Sequence, residues 1–247
     1  MKLDILPPLP ESNAPGSPTE DVMARYAHLE GVQLLHYMIN DAFPGRIAVS
    51  SSFGIESVVL LHMVAQIAPE TPILFLNTGF LFAQTEQYQR TLQKHLGLTN
   101  VQILRPDPDH LEKYDGDNNL HKSDTGVCCH LRKVLPLQQA LGSFDAWITG
   151  RKRFQADTRT KMPLIEHDGS HYKINPLANW SLEDIATAFR QYDLPRHPLE
   201  EAGYKSVGCY PCTSLPQSSD DGRSGRWAGQ DKTECGIHNA PWVGESI

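Results

Sequence analysis

Cysteines are the residues of this 247-residue chain with the clearest chemical potential, and four of its five form two short groups. These groups are the adjacent pair Cys128-Cys129 and the spaced pair Cys209-x-x-Cys212. Four cysteinate ligands suit an iron–sulfur cluster or a structural zinc ion. Zinc sites usually draw spaced pairs from two hairpins, which an adjacent pair fits poorly, so the pattern favours a [4Fe–4S] cluster over zinc. Buried free thiols are the remaining interpretation, and the glycines and proline that flank the pairs make it the weakest.

The fifth cysteine, Cys235, stands alone near the C-terminus, between Lys232 and His238. A cysteine nucleophile acts as the thiolate, so its surroundings must favour the ionised form. Lys232 and His238 would favour that form, whereas Glu234 would oppose it unless its carboxylate points away. The local sequence alone leaves a catalytic thiol and an inert exposed thiol both open.

Cationic side chains accompany both groups of cysteines. Arg132 and Lys133 follow the first pair, and Arg223 and Arg226 lie in the segment before Cys235. Such groups can stabilise a negatively charged cluster or hold phosphate and sulfate oxygens. Solvated positions on a helix or a tail are the simpler alternative.

These residues must be positioned by a fold in which strands and helices alternate, which predicts a parallel α/β sheet. We predict strands at 47–49, 72–76, 101–104 and 146–149, and helices at 21–40, 55–67, 84–96, 131–141 and 181–192. Pro136 is expected to kink or break its helix. A small hairpin is predicted around 168–169, a long polar loop at 107–126, and an irregular tail from residue 195 onward.

Three loops follow predicted strands, at Ser50–Gly54, Asn77–Phe80 and Gly150–Arg153. Ligands of such sheets bind beyond the carboxyl ends of the strands, so we expect the three loops to converge. The three serines and the glycine of the first loop suit an oxyanion bound at a helix N-terminus. The loop lacks the glycine and lysine spacing of a Walker loop, and an ordinary turn with a serine cap is the alternative.

Composition excludes several classes of protein. A formal net charge of −7 argues against a general nucleic-acid binder, although it leaves room for a local basic pocket. No apolar run approaches the roughly 20 residues that span a bilayer. Residues 1–19 lack the pattern of a secretory signal and are predicted to form a loose arm. Together with an odd number of cysteines, these features predict a cytoplasmic protein with reduced thiols.

Taken together, the motifs resemble those of the assimilatory adenylyl-sulfate and phosphoadenylyl-sulfate reductases. The resemblance runs from about Ile47 to His238. It is carried by Ser51-Ser52-Phe53-Gly54, Cys128-Cys129-x-x-Arg132-Lys133, Ile148-Thr149-Gly150, Asn175-Pro176-Leu177, Gly208-Cys209-x-Pro211-Cys212, Gly225-Arg226-Trp227 and Lys232-Thr233-Glu234-Cys235-Gly236-Ile237-His238.

The resemblance implies a Rossmann-like sheet of the adenine nucleotide α-hydrolase type, with helices on both faces and an irregular C-terminal tail. It implies an α/β nucleotide-binding domain at 20–205 and a C-terminal segment at 206–247 that carries two cluster ligands and a mobile catalytic tail. Cys128, Cys129, Cys209 and Cys212 match the ligands of a [4Fe–4S] cluster. Substrate-binding roles are implied for Ser51, Ser52, Phe53, Gly54, Leu76, Thr78, Gly79, Lys133, Gly150, Arg153, Arg223, Arg226 and His238.

Cys235 matches the nucleophile, which attacks the sulfur of the sulfate group and becomes an S-sulfocysteine. Thioredoxin or glutaredoxin then releases sulfite. Members with the cluster generally use adenosine 5′-phosphosulfate, which is therefore the expected substrate, with AMP as the second product. The serine-rich run Ser50–Ile55 looks like the branch that uses the 3′-phosphorylated nucleotide, which keeps that substrate open.

Several substitutions depart from the family pattern around the nucleotide. Asn77-Thr78-Gly79-Phe80 replaces a motif that usually begins with Asp and ends in Arg or Tyr. Lys152, Phe154 and Ala156 replace what are commonly Arg, an acid and Ser. These changes surround the nucleotide, so they leave substrate selectivity and the exact contacts open, and they do not touch the cluster ligands or the nucleophile.

Two other classes of protein are weaker alternatives. An adenylating ATP pyrophosphatase would need Ser-Gly-Gly-x-Asp-Ser in its first loop, and it would not need Cys235. A non-catalytic iron–sulfur sensor would not need Cys235 either. The expected partners are the nucleotide and the thiol donor, without nucleic acid or membrane, and the sequence leaves the oligomeric state open, including a homo-oligomer.

Overall fold

The computed structural model describes residues 18–216, 223, 225–230 and 232–238. Its core is a six-stranded sheet with the strand order β3-β2-β1-β4-β6-β5. All neighbouring strands run parallel except the pair β5 and β6. The strands are β1 (Ile47–Ser51), β2 (Ile73–Leu76), β3 (Val101–Leu104), β4 (Ala146–Thr149), β5 (Ile165–His167) and β6 (Tyr172–Ile174).

Helices connect the strands and cover the sheet. They are α1 (Pro18–Tyr26), α2 (Gly31–Tyr37), α3 (Ser57–Ile67), α4 (Ala83–Leu96), α5 (Pro108–Asp115), α6 (Leu120–Ser123), α7 (Thr125–Cys129), α8 (Leu135–Leu141), α9 (Leu182–Gln191) and α10 (Pro198–Glu201). Two π-helical segments continue α2 and α7, at Met38–Ala42 and His130–Val134, and short 3₁₀ turns occur at Arg153–Gln155, Asp157–Arg159 and Tyr210–Cys212. Among the described helices, none is both long and apolar enough to span a membrane.

Alternate residues of each central strand belong to two different cores. Ile47 and Val49 pack into the large core that α2, α3 and α9 share, whereas Ala48 packs with Leu137 and Leu141 of α8 on the opposite face. Because side chains alternate along a strand, helices must therefore cover both faces of the sheet. The predicted α/β fold with helices on both faces is confirmed.

The single helix predicted at 21–40 is wrong. The chain forms α1 and α2 instead, separated by residues 27–30, and α2 begins at Gly31, whose φ of +53° prevents a continuous right-handed helix through it. The Gly31 amide donates to the carbonyl of Pro176 at 3.2 Å. The apolar residues on both sides of the break, such as Tyr26 and Leu34, are buried in the same core.

The long loop predicted at 107–126 is also wrong, because the segment folds into α5, α6 and the start of α7. Asp107 caps α5 by accepting from the amides of Asp109 and His110, and Asp124 caps α7 by accepting from Val127. Aspartates that suggested a loop are in fact helix N-caps.

Other predicted elements match the structure. The hairpin of β5 and β6 is present, and Ser181 opens α9 with a capping box through Asp184. Pro136 occupies the first turn of α8, directly after a π-helical segment, so it marks a change of helix type. The segment after residue 195 is mostly irregular where it is described, although α10 lies within it.

The predicted arm at 1–19 lies outside the described residues, except for its last two positions, which begin α1. The domain division at residue 205 remains a prediction.

Candidate active site

The loop after β1 is anchored by a buried aromatic residue. Phe53 is fully buried with a φ of +48°, and its ring packs edge-on against Phe75 at a centroid distance of 4.9 Å. The Phe53 amide donates to the hydroxyl of Ser51 at 3.2 Å. This left-handed backbone holds the turn in place, so that Ser52 and Gly54 face the space above the sheet.

A cavity of about 530 Å³ opens there, beyond the carboxyl ends of β1 and β4; we call it the anion cavity. The predicted substrate-binding residues that line it are Ser51, Ser52, Gly54, Gly150, Arg223, Arg226 and His238. Its cationic side chains among the described residues are Arg151, Lys152, Arg159, Lys205, Arg223 and Arg226. A chain with a net charge of −7 thus concentrates positive charge in one pocket, which suits a small polyanion.

Two of these cations are paired with acids inside the fold. Lys152 is 2% exposed, and its Nζ donates to Oε2 of Glu56 at 2.5 Å. Burial lowers the pKa of Lys152, and Glu56 opposes that effect. Arg151 pairs with Glu166 and donates to Oδ1 of Asn175 at 3.0 Å. The sequence pattern assigned no role to Arg151 and marked Lys152 only as a departure from the family, because their partly exposed acidic partners lie in other segments of the chain.

The segment that carries Cys235 folds across the cavity. Ile237 and His238 line the cavity, and the His238 ring lies parallel to the indole of Trp147 at 5.3 Å. Lys173 donates from Nζ to the His238 carbonyl at 3.2 Å. Burial, and then the charges of Arg151 and other nearby cations, lowers the pKa of His238 well below 6.5. His238 is therefore neutral near pH 7 and does not supply the positive charge that was expected beside Cys235.

Lys133 and Arg223 are cations that interact electrostatically with Cys235. Burial alone would lower the pKa of Lys133, but the thiols of Cys209, Cys235 and Cys129 together raise it above its ordinary value. Lys133 therefore stays charged and interacts both with Cys235 and with Cys129 and Cys209 of the paired cysteines. It can thus stabilise negative charge on either side.

The four paired cysteines, which we call the cysteine centre, converge from α7 and from the loop at 209–212. Cys128, Cys129 and Cys209 are buried, Cys212 is partly buried, and none forms a disulfide. Cys209 interacts electrostatically with the other three. Burial raises the pKa of Cys128 to about 12 and also raises those of Cys129 and Cys212.

Cations offset this burial at each of the three thiols. Arg132 interacts with Cys128, Lys133 and Lys232 interact with Cys129 and Cys212, and Arg226 also interacts with Cys212. Buried thiols that must become anionic ligands need such countercharges. The donor set and its cations fit a cysteine-ligated cluster.

In the part of the chain that the structure describes, no three His, Cys, Asp or Glu side chains are arranged to hold a metal ion. The choice of a [4Fe–4S] cluster over zinc therefore stays a prediction.

The loop after β2 supports the cysteine centre and does not line the cavity. The Thr78 hydroxyl lies 3.2 Å from the Cys209 sulfur, and the Tyr210 amide donates to the Phe80 carbonyl at 2.8 Å. Only two of the three strand-end loops therefore converge on the cavity. Leu76, Thr78 and Gly79 lie on the side of the cysteine centre or its adjoining core, away from the cavity wall.

Arg132 ties this loop to the rest of the fold. Its guanidinium forms a buried ion pair with Asp115 at 2.5 Å and donates to the Thr78 carbonyl at 2.9 Å. It also donates to Asn118 at 2.8 Å and stacks over the Phe80 ring at 4.1 Å. All of these contacts lie within the protein, so Arg132 acts as a structural cation beside the cysteines.

Arg226 joins the two regions. It lines the anion cavity, interacts with Cys212, and stacks over Trp227 at 4.5 Å. Its guanidinium presses so closely on Gly208 that a Cβ there would lie 2.2 Å from Nη2. Gly208 is therefore a spacer for Arg226, a role that its place beside Cys209 did not reveal.

Three other predicted substrate residues also lie away from the cavity wall. Phe53 packs into the core and Lys133 lies beside the thiols. Arg153 donates to the Met162 carbonyl at 2.9 Å and to Asn179 at 2.6 Å, so its guanidinium is used to hold the loop. Their substrate roles remain predictions.

The sequence family described as the phosphoadenosine phosphosulfate reductase domain matches residues 46–215, which include both cavity loops and the whole cysteine centre. The chain belongs to this family. An adenosine 5′-phosphosulfate reductase of Mesorhizobium japonicum is 46% identical over 215 residues, which cover 87% of this chain and 85% of the relative. A protein of the same name from Chelativorans is 47% identical and covers 87% of this chain and 88% of its own length.

A solved structure shares the architecture. The phosphoadenylyl-sulfate reductase of Candida auris, determined as a phosphate complex, aligns with a TM-score of 0.66 at 27% identity. The alignment covers 83% of this chain and 100% of that one. The predicted resemblance to the adenylyl-sulfate and phosphoadenylyl-sulfate reductases is confirmed.

Proposed function

We propose that this protein reduces adenosine 5′-phosphosulfate to sulfite and AMP, with Cys235 as the nucleophile and thioredoxin or glutaredoxin as the electron donor. The observation that carries the proposal is the position of Cys235. It is the one cysteine outside the cysteine centre, and it interacts with Lys133 while its neighbours Ile237 and His238 line the anion cavity. Relatives of the same length carry the name of this activity.

The chemistry balances without an external oxidant. The Cys235 thiolate attacks the sulfur of the sulfate group, the bond from that sulfur to the bridging oxygen breaks, and AMP leaves with the electron pair. A thiolate of the donor then attacks the Cys235 sulfur and releases sulfite as a mixed disulfide forms. A second donor thiol resolves that disulfide, so the two thiols supply both electrons.

The protein places positive charge where the thiolate meets the anionic substrate and where negative charge develops on the leaving phosphate. Attack joins two anions and expels a phosphate, so cations near the reacting oxygens lower the barrier. Arg223 and Arg226 lie on the cavity wall, and Lys133 lies beside the thiol. Ser51, Ser52 and Gly54 offer hydroxyls and a close backbone at the start of α3 for the nucleotide phosphate.

We propose that Cys128, Cys129, Cys209 and Cys212 hold a [4Fe–4S] cluster. When bound, it would supply cross-linking of the two cysteine segments and a fixed electrostatic environment, with no redox role required. The fit rests on the four free thiols, three of which interact with Cys209, and on the surrounding cations. Five free thiols also support a cytoplasmic location, where thiols stay reduced.

The 3′-phosphorylated nucleotide is the second candidate substrate. The Candida auris structure carries the name of that activity, and six cationic side chains line the cavity, of which Arg151, Lys152 and Arg159 are paired with acids. The relatives with the higher identities carry the name of the unphosphorylated substrate, and Glu56 adds a carboxylate to the cavity wall. Adenosine 5′-phosphosulfate is therefore the favoured substrate.

The test is sulfite release from each nucleotide with thioredoxin, on protein purified without oxygen. We expect kcat/KM for adenosine 5′-phosphosulfate to exceed that for the 3′-phosphorylated form by about 100-fold or more, as charge-based discrimination allows. A preference for the 3′-phosphorylated form would overturn the substrate assignment. No sulfite from either nucleotide would overturn the reductase proposal.

A further inference from the structure

Glu234, immediately before Cys235, carries the carboxylate that pairs with Arg159 at the cavity. Its two carboxylate oxygens accept from Nε and Nη2 of Arg159 at 2.6 and 2.7 Å. Nη2 of Arg223 lies 3.7 Å from the same carboxylate. The side chains of Arg159 and Glu234 are 9% and 21% exposed, so this bidentate pair is largely shielded from water.

Arg159 is held in place by other residues of the fold. Its Nη1 donates to Oε1 of Gln155 at 2.7 Å, and the side-chain nitrogen Nε2 of Gln155 donates to Oε2 of Glu56 at 2.9 Å. Glu56 in turn accepts from the buried Lys152. The guanidinium fork therefore faces Glu234 in a fixed orientation, and little side-chain freedom remains to be lost when the carboxylate binds.

We propose that Glu234 is a positioning residue, and that its ion pair with Arg159 is a latch that holds Cys235 at the anion cavity. Consecutive Cα atoms lie about 3.8 Å apart, so fixing the Glu234 carboxylate restricts the adjacent thiol to a small volume. The inference deepens the proposed function, because the benefit of restricting Cys235 depends on its role as the nucleophile. Opening the latch exposes Cys235 to the donor protein that must reach its sulfur.

The same geometry has a competing interpretation, in which Glu234 merely occupies a subsite for the substrate anion. Two features favour the latch. Arg159 directs both nitrogens of its fork at Glu234 and its remaining nitrogen at Gln155, so each of its three nitrogens already has a partner within the protein. Lys173 also binds the tail by donating to the His238 carbonyl, so a second contact holds the tail at the cavity.

The two interpretations predict opposite kinetics. Loss of a latch lowers kcat, because fewer enzyme–substrate complexes hold the thiol in place, and it leaves KM nearly unchanged. Loss of a competing carboxylate lowers KM and leaves kcat unchanged. The pair can be weakened from either side, by Glu234→Gln, which removes the charge, or by Arg159→Lys, which keeps the charge but loses the fork.

The experiment measures alkylation of Cys235 by iodoacetamide in cluster-loaded protein without substrate, by mass spectrometry. Alkylation rates are measured across pH, and the plateau rate at high pH is compared between variants. This plateau reports the accessibility of the Cys235 thiolate and does not depend on the pKa of the thiol. We expect Glu234→Gln and Arg159→Lys each to raise that limiting rate about tenfold and to lower kcat about tenfold, as loss of a charge-assisted pair implies. Glu234→Asp should retain an intermediate kcat, and the double variant should be no worse than either single one.

Glu183→Gln is the matched control. It removes an Arg–Glu pair with Arg190 on the exposed surface of α9, at 2.7 Å, and should change neither alkylation nor kcat. Unchanged alkylation in Glu234→Gln, a lower KM with unchanged kcat, or strictly additive effects of the two substitutions would each overturn the latch. Wild-type protein that releases no sulfite would overturn the proposed function instead, while its alkylation rates would still decide whether the latch exists.

Discussion

The cysteine centre and the anion cavity both bring cations to buried or partly buried positions, but they use these cations differently. In the cysteine centre, Arg132 is satisfied by Asp115, Thr78 and Asn118, all from the main body of the fold. In the anion cavity, Arg159 is instead paired with Glu234, which belongs to the segment that carries Cys235.

This difference separates a fixed site from an exchangeable one. The contacts of Arg132 all lie within the main body of the fold and do not depend on the tail, whereas Lys232, which interacts with Cys129 and Cys212, belongs to the tail segment. Charges in the cavity are balanced partly by a tail residue, so docking of the tail and binding of an anion involve the same pocket. Arg226 takes part in both regions, which makes it the point where they are coupled.

The largest effect should come from paired substitutions that separate the two regions. Cys235→Ser should abolish sulfite release, by about 10³-fold or more, because the nucleophile is lost. Its iron content and cluster absorbance should stay at the wild-type level. Cys128→Ser should instead lose both iron and activity.

Iron analysis, visible absorbance and sulfite assays on the two variants, purified side by side without oxygen, test this separation. Near-normal sulfite release by Cys235→Ser would contradict the assignment of the nucleophile. Full activity of an iron-free Cys128→Ser protein would contradict any role for a cluster.

The second largest effect is expected on the free energy of unfolding, when the buried charge of Arg132 loses its partner Asp115. Asp115→Asn leaves the Arg132 guanidinium buried without a countercharge, since both side chains are at most 3% exposed. Removal of one partner of such a pair costs about 3–5 kcal/mol of the free energy of unfolding. Anaerobic urea unfolding, on preparations of equal iron content, gives this value.

Glu183→Gln again supplies the control, because its pair with Arg190 is exposed to solvent. A loss for Asp115→Asn no greater than that of this control would show that Arg132 is not the structural cation that its contacts indicate.

The smallest effect should arise at the junction of the two regions. Gly208→Ala would place a Cβ 2.2 Å from Nη2 of Arg226, so the guanidinium must move. We expect kcat/KM to fall about tenfold, through loss of a charge-assisted contact to the substrate, without loss of iron.

Steady-state kinetics with iron analysis measure this effect. Gly142→Ala is its control, because the nearest atom to a Cβ at that position is the Gln139 carbonyl oxygen at 3.4 Å. Equal activity of the two variants would remove Arg226 from the set of substrate-binding residues.

The sequence was sufficient for the sheet and for the family, because both depend on local patterns. Apolar runs between glycines and serines marked β1 and β4, and the cysteine motifs carried the resemblance. The break before α2 was not predictable, because it depends on a positive φ at Gly31 and a contact with Pro176, which is distant in sequence. The capping aspartates of α5 and α7 were mistaken for loop residues because the same side chains serve turns and caps.

At the site, the pattern indicated which residues are chemically suited but not which partners they have. Glu234 was expected to oppose ionisation of Cys235 unless its carboxylate pointed away, and it does point away, toward Arg159. His238 was expected to act as a cation, but burial among several cations keeps it neutral. Such outcomes depend on distances between segments, which a single sequence does not contain.

The parallel contact between His238 and Trp147 has a consequence for observation of the tail. Trp147 is fully buried in β4, so its indole is shielded from water, and the tail supplies one of its faces through the His238 ring. Departure of the tail replaces that ring by solvent, which alters the emission of this one tryptophan. Because the chain has four tryptophans, a variant in which Trp147 is the only one would follow tail opening in real time.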